Sequence, residues 1–350
     1  MHPGPTLTVN LAALTANYQL LKQRFSGDQC AAVVKANAYG LGVAPVAQAL
    51  WQAGCRCFFV ATLEEGVELR AVLPEALIYV FHGPYPGQEP AFPAHRLMPV
   101  INSPAQLARW PEPAPFALHV DTGMNRLGFT LTELEAARPQ LLSRNLGMLL
   151  SHLSCANEPE HRKNARQLAR FRAATAMLPD VPASLCNSSG IFLNRHFHFH
   201  LARPGCALYG INPTSGTDPM QNVATLTAPI LQIRTMEETG SVGYGATFRA
   251  AKGSRIAIAQ LGYADGLLRA LSNQGAAFIA GARVPIAGRV SMDMVALDVT
   301  GLPEQNLAQA DTAEFINARQ TVNDVARAAG SIGYEIFTRL GHRVRRIYHG

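Results

Sequence analysis

The chain has no apolar run near the ~18 residues a membrane helix needs, although 48% of its 350 residues are hydrophobic. Its opening stretch, MHPGPTLTVNLAALTANY, lacks the basic start, apolar centre and A-x-A site of an export signal. Six cysteines stand at 30, 55, 57, 155, 186 and 206, and none forms C-x-x-C. Buried free thiols in a reducing compartment are the expected state, which together with the missing export signal predicts a cytoplasmic protein. Basic residues give a net charge of +6 and a pI near 9.1, yet apart from the terminal GHRVRRIYHG they are scattered. No basic run interleaved with aromatics lines up as a nucleic-acid groove, so the charge is expected to attract small anions. No G-x-G-x-x-G follows an expected strand, which argues against an open dinucleotide-binding sheet. Internal repeats and low-complexity tracts are absent as well.

What is present is the composition of a compact protein, with 15% charged residues and a length that suits two domains. Short apolar runs alternate with amphipathic segments through AAVVKA (31–36), CFFVAT (57–62), ALIYVF (76–81), LMPVIN (97–102), FALHVD (116–121), GMLLSHL (147–153), ASLCN (183–187) and HLARPG (200–205). Eight such runs separated by crossover segments predict an α/β fold, a parallel (β/α)₈ TIM-like barrel over residues 1–222. The helices between them include TLTELEAARPQLL, where Thr132 and Glu135 make a capping-box pattern and Pro139 should end or kink the helix. A polar stretch, NPTSGTDPMQNVA, reads as a linker. Residues 223–350 then read as a C-terminal β-rich domain with two short helices before its last strand.

The stretch AVVKANAYGLG sets Lys35 at the end of an apolar strand and Tyr39 in the glycine-rich turn beyond. An ammonium there is costly unless it is paired or lost, and a lysine that forms an imine with a carbonyl compound becomes a reactive group. Barrels of this kind gather reactive side chains where strands end. Arg126, His152, Asn187–Ser188 and Arg203–Pro204–Gly205 fall at such ends. Phosphates in these barrels bind at the loops after strands seven and eight, where Ser188, Gly205 and Cys206 offer a hydroxyl and small-residue backbone. A phosphorylated carbonyl cofactor, pyridoxal 5′-phosphate, fits that layout. Two sets of residues invite metal readings: His196, His198 and His200 alternate on one face, and Asp265, Asp293 and Asp298 could make a carboxylate cluster. Neither completes a known ligand set, so no metal is expected.

The motifs AVVKANAYGLG, HVDTGMNRLG, SHLSCAN, NSSG, RPGCALYG, VGYGATF, GYADG, GRVSMDM and GYEIFTRLGHRVRR, in that order, closely resemble the PLP-dependent alanine racemases. The resemblance runs from about residue 6 to 348. It implies a PLP barrel and a β-rich domain paired head-to-tail in a homodimer. The implied activity is interconversion of L- and D-alanine through a cofactor aldimine, serving D-alanine supply for peptidoglycan or alanine catabolism. On that resemblance Lys35 is the cofactor lysine and one catalytic base. Tyr244, from the partner subunit, is the opposing base. Arg126 and the backbone of Met292 meet the substrate carboxylate, and Arg203 faces the pyridine nitrogen. Tyr39, Ser188, Gly205, Cys206 and Tyr334 match phosphate-binding positions and His152 an imidazole near the ring. Tyr263 and Tyr334 narrow the substrate entrance. Racemisation removes a proton from one face of a planar carbanion and returns it to the other, so two bases on opposite faces are the economical arrangement.

Four positions depart from the family pattern. His119 stands where many relatives carry a carbamylated lysine, Ser184 where a histidine is frequent, Ser291 for a frequent cysteine and Gly243 for a frequent serine. A racemase of broader specificity, or one preferring serine, is the nearest alternative reading. A related decarboxylase and a single-domain, non-catalytic PLP carrier are disfavoured by Arg203, by Tyr244 and by residues 223–350.

Overall fold

The computed structural model describes residues 4–308 and 310–350. It divides into two compact units, one formed by Leu14–Gln221 and one by the segment up to Ala13 with Asn222–Gly350.

In the first unit, Ala32–Val33, Cys57–Val60, Leu77–Val80, Leu97–Ile101, Phe116–His119, Leu146–Leu150 and Ala183–Ser184 form a parallel sheet in sequence order. Leu201–Ala202 supplies the eighth strand, pairing in parallel with Gln29–Cys30. The ring closes through Ala31 N–H to Ala202 O at 2.9 Å and Val33 N–H to Pro204 O at 2.9 Å, and through a bridge between Asn187 and Arg203. The expected barrel is present. Its strands are buried on both faces, as continuous apolar runs such as Cys57–Val60 require. Crossover helices cover the outside. Val43–Gln52 buries Val46, Ala47 and Leu50, and Arg162–Met177 buries Leu168, Phe171 and Ala174 at helical spacing.

Three local expectations are corrected. The first strand does not run to Ala36; its ladder stops at Val33 and Lys35 opens a turn. The capping box on the helix Leu131–Leu142 uses Thr130 and Glu133, not Thr132 and Glu135. Phe129 is still extended, bonded through its N–H to His119 O at 2.8 Å, so the helix can start directly after it. Pro139 neither ends that helix nor splits it, because the position is exposed and water can satisfy the carbonyl that loses its partner.

The second unit is built on a mixed, mainly antiparallel sheet. Its main path runs Ala282–Pro285, Ala276–Ile279, Thr312–Ile316, Ala224–Thr235, Thr6–Asn10 and Arg345–His349. Arg255–Ala259 joins the far half of the long strand Ala224–Thr235 and pairs with Val295–Asp298. Thr6–Asn10 differs from the domain boundary expected from sequence: it pairs antiparallel with Ala224–Thr227 and parallel with Arg345–His349. Its alternation is that of a half-buried strand, with Leu7 and Val9 fully buried. Replacing Leu7 with alanine should therefore destabilise this sheet by about 2–5 kcal/mol. Urea unfolding followed by circular dichroism checks this; a change below ~1 kcal/mol would mean the strand is not held in the core.

Candidate active site

Lys35 begins a turn of uncommon handedness. Ala36, Asn37, Ala38 and Tyr39 all have φ between 52° and 56°, a left-handed turn without a glycine. Each such residue costs roughly 1–2 kcal/mol over a right-handed conformation. The surroundings hold it in place. Gly40 N–H bonds Ala36 O at 2.8 Å, and Asn37 Oδ1 accepts Val43 N–H at 2.6 Å. Glu65 Oε1 accepts Ala36 N–H at 2.7 Å, while its Oε2 accepts Ala61 N–H at 2.7 Å. Tyr39 stacks on Tyr209, ring centroids 4.6 Å apart, and Tyr209 donates to Val33 O at 2.8 Å. The turn directs Lys35 over the Phe81 ring, with Nζ 5.7 Å from its centroid.

The ends of strands seven and eight meet this turn. Ser188 Oγ accepts Gly205 N–H at 2.9 Å and Ala207 N–H at 3.3 Å, leaving its own proton to donate outward. A Cβ on Gly205 would lie 2.3 Å from the Tyr39 hydroxyl, so only glycine permits that approach. Cys206 follows, buried, and the Tyr39 phenol is pushed up by burial and then by Cys206. Tyr39, Ser188, Gly205 and Cys206 are thus brought together.

Arg203 is 3% exposed. Its guanidinium donates to Ser184 Oγ and Ser151 O, and its Nε has no hydrogen-bond partner among the described residues. Desolvation brings it down to about 10, so it stays protonated at neutral pH. Ser184 therefore supports this arginine. Ser151 in turn bonds Thr122 at 2.8 Å, and buried Gln167 ties Thr122 to the carbonyl of His152 at 3.1 and 2.9 Å. Among the described residues, no carboxylate forms an ion pair with Lys35, Arg126 or Arg203.

Burial first, and this positive charge second, set the protonation of the neighbouring groups. Lys35 is pulled down from the usual lysine range by desolvation and then by Arg126, with Glu65 opposing. His152 is driven well below the ordinary histidine value by burial, then by Arg203 and Arg126. His119 falls to about 4 for the same reasons, in the same order. Its Nδ1 lies 2.8 Å from Asn102 Oδ1, and the Asn102 amide donates to Phe81 O and Val100 O at 2.8 Å each. Asn102 must accept from His119, which puts the imidazole proton on Nδ1 and a lone pair on Nε2. Arg126 is displayed by the loop after strand five. Asp121 Oδ1 accepts N–H groups of Gly123, Met124 and Asn125 at 2.8–3.1 Å. Gly128, at φ 109°, lets the loop return against the Asp121 backbone.

Four of the sequence-selected residues belong to the second unit. Tyr244 sits at the tip of the hairpin Gly240–Val242/Phe248–Ala250 and is 73% exposed. Gly245 beside it packs so closely on the Arg289 guanidinium that a Cβ would lie 2.8 Å from Nη1. Tyr263 and Met292 are neighbours, through Tyr263 N–H to Ser291 O and Ala264 N–H to Met292 O, each 3.0 Å. Tyr334 lies in the short helix Gly333–Thr338. A cavity of about 460 Å³ in this unit involves Asp265, Asp293, His342 and Arg343 rather than Tyr244. There Arg343 pairs with Asp265 and Asp293 at 2.8 Å each, while Asp298 turns to Thr300. In the histidine run, His198 contacts Ser26 and Ile191, and His200 accepts Ala183 N–H at 2.9 Å.

The sequence reading missed Glu65, Asn102 and Gln167. Glu65 carried a visible signal, the capping pattern Thr62-x-x-Glu65; Asn102 and Gln167 gain their roles only through contacts distant in sequence.

Neutral, buried imidazoles make stability depend on acid. Unfolded histidine titrates near 6.5, so between that pH and about 4 the unfolded chain binds more protons, and stability falls as pH drops through the window. Urea unfolding at pH 7 and pH 5 should show this loss, and a smaller one in His119→Asn. Equal losses in both proteins would contradict a neutral His119.

The chain matches the alanine racemase N-terminal domain over residues 9–213 and the alanine racemase C-terminal domain over 223–348. It is 46% identical to a catabolic alanine racemase of Agrobacterium fabrum, covering 98% of this chain and 91% of that one. An alanine racemase of Brucella canis is 45% identical, with 99% and 93% covered. Among solved structures, an alanine racemase from Bartonella henselae with covalently bound pyridoxal phosphate superposes with a TM-score of 0.93 at 38% identity, covering 99% of both chains. A biosynthetic alanine racemase from Pseudomonas aeruginosa gives 0.92 at 36% identity over the full length of both. With both domains matched in order along nearly its whole length, this chain belongs to the alanine racemase family.

Proposed function

We propose that the protein interconverts L- and D-alanine, with pyridoxal phosphate as its cofactor and a second copy of the chain completing each active site. The observation that carries this reading is the desolvated Lys35 at the edge of a cationic barrel mouth, next to the Tyr39–Ser188–Gly205 cup.

The residues present fit the cofactor. The Ser188 hydroxyl proton, the Tyr39 hydroxyl and the backbone at Gly205 and Cys206 suit phosphate oxygens, and the family resemblance alone adds Tyr334 as a further phosphate contact. The partnerless Nε–H of Arg203 suits a ring nitrogen that accepts a hydrogen bond. His152, neutral and buried, suits the ring face. When bound, pyridoxal phosphate acidifies the α-proton of an attached amino acid by drawing the resulting charge into its ring. A guanidinium at that position, charged at neutral pH, would favour an unprotonated ring nitrogen and so would limit side reactions.

The chain's own groups do the proton work. Lys35, with its charged form disfavoured, takes or returns the proton at Nζ on one face of the α-carbon. Tyr244 of the opposite subunit acts through its hydroxyl on the other face. Arg126 and the Met292 N–H hold the substrate carboxylate, and Tyr263 with Tyr334 narrows the entrance. The exposure of Tyr244, Met292, Met294 and Ile332 at 73%, 53%, 43% and 59% supports a homodimer in which a second copy covers such apolar side chains. No described helix is long and apolar enough to cross a membrane. None of the six cysteines forms a disulfide, which supports work in the reducing cytoplasm, for D-alanine supply to peptidoglycan or for alanine catabolism.

Borohydride reduction of the cofactor-loaded protein, followed by peptide mapping, should mark Lys35; a label on another lysine overturns the site assignment. In a racemisation assay, Tyr244→Phe should lose roughly 10²–10⁴-fold in both directions while Lys35 is still labelled. Undiminished turnover in that variant would mean another group delivers the second proton.

A further inference from the structure

We propose that Glu65 is a positioning residue whose carboxylate clamps the left-handed turn carrying Lys35 and Tyr39, and thereby sets how tightly the barrel holds its cofactor. The inference rests on the cofactor reading above. Glu65 lies in the first turn of the helix Leu63–Val72. One of its oxygens accepts the N–H of Ala61, the residue before the N-cap Thr62, and so ties the helix start to the end of the strand Cys57–Val60. The other reaches 29 residues back along the chain to Ala36 N–H. Both bonds are short, at 2.7 Å, as expected of charged acceptors.

The clamp falls where the turn needs it. Ala36 is the first of four consecutive non-glycine residues at positive φ. Such a backbone persists only when its surroundings over-determine it. Its far end is fixed by Asn37 Oδ1 on Val43 N–H and by the Tyr39–Tyr209 stack. Its near end has the Ala38 N–H bond to Val34 O at 2.9 Å and the Glu65 carboxylate. Loosening that end displaces the Lys35 amine and the Tyr39 hydroxyl together, since both project from the same turn. The carboxylate also bears on Lys35 electrostatically, favouring its charged form against desolvation and Arg126.

Glu65→Gln keeps the size of the side chain but only one acceptor oxygen, so one N–H loses its partner. Two measurements test the proposal: hydrogen–deuterium exchange of the cofactor-free protein, and titration with pyridoxal phosphate followed by visible absorbance. Segment 35–42 should exchange roughly 10-fold faster, the loss of one charged hydrogen bond, with the strand Cys57–Val60 unchanged. Cofactor affinity should fall by a similar factor. Adding Ala36→Gly, which relaxes the positive-φ position, should recover much of that affinity. Glu65→Asp, too short to reach both N–H groups, should show the same changes and serves if the glutamine variant does not fold. Unchanged exchange in segment 35–42, or a lost affinity that Ala36→Gly does not restore, overturns the proposal. A wild-type protein that takes up no pyridoxal phosphate defeats the cofactor reading instead, while the exchange comparison still decides whether the clamp exists.

Discussion

Positive charge gathered at the mouth of an apolar barrel, with no carboxylate among the described residues paired to Lys35, Arg126 or Arg203, is the constraint from which the other features follow. Desolvation acts on Lys35 and Arg203 alike, with repulsion from Arg126 added at Lys35, and His119 and His152, buried and repelled by Arg203 and Arg126, respond by staying neutral. A site of this kind stabilises an anion that enters it and favours an uncharged amine within it. Glu65, the carboxylate that bears on Lys35, spends its oxygens on backbone N–H groups rather than on an ion pair. An acid paired with Lys35 or Arg203 would have cancelled the field that makes the mouth useful to a phosphate.

The fold produces this arrangement through the ends of its strands. Closure between Ala31–Val33 and Ala202–Pro204 brings the first strand beside the eighth, so the Lys35 turn and the Ser188–Gly205 cup become neighbours although far apart in sequence. Around the ring, Asn102 and His119 bond each other at the ends of their strands, and Ser151 accepts from the Arg203 guanidinium through its carbonyl. The second unit contributes in a different way. Its hairpin offers Tyr244 to solvent, in a turn shaped by Gly243 at φ 76° and Gly245 at φ 72°. A tyrosine this exposed is what the proposed homodimer requires of the residue it shares.

Much of this was legible in the sequence where information is local. Runs such as Cys57–Val60 announce buried parallel strands, and the motifs around Lys35, Arg203 and Tyr244 identify the family. Legibility failed where distant contacts decide. Thr6–Asn10 alternates like a strand, but its partners lie more than 200 residues away, and nothing local assigns it to the second sheet. Two overlapping capping patterns, Thr130/Glu133 and Thr132/Glu135, are equally plausible until the pairing of Phe129 selects the first. The left-handed turn defied its own residues, since alanine and tyrosine disfavour positive φ; only Asn37 and the glycines after Tyr39 hinted at it. The substitutions at His119 and Ser184 became interpretable through their partners. One is locked as a neutral imidazole by Asn102, and the other holds the guanidinium of Arg203.

Uptake of pyridoxal phosphate and of pyridoxal by the cofactor-free protein, compared by absorbance titration, bears most directly on a cationic mouth built for a phosphorylated aldehyde. The phosphorylated form should bind at least ~100-fold more tightly, because charge-assisted hydrogen bonds act on it alone. Equal affinities, or an undiminished absorbance change in Lys35→Ala, would contradict that origin of the site.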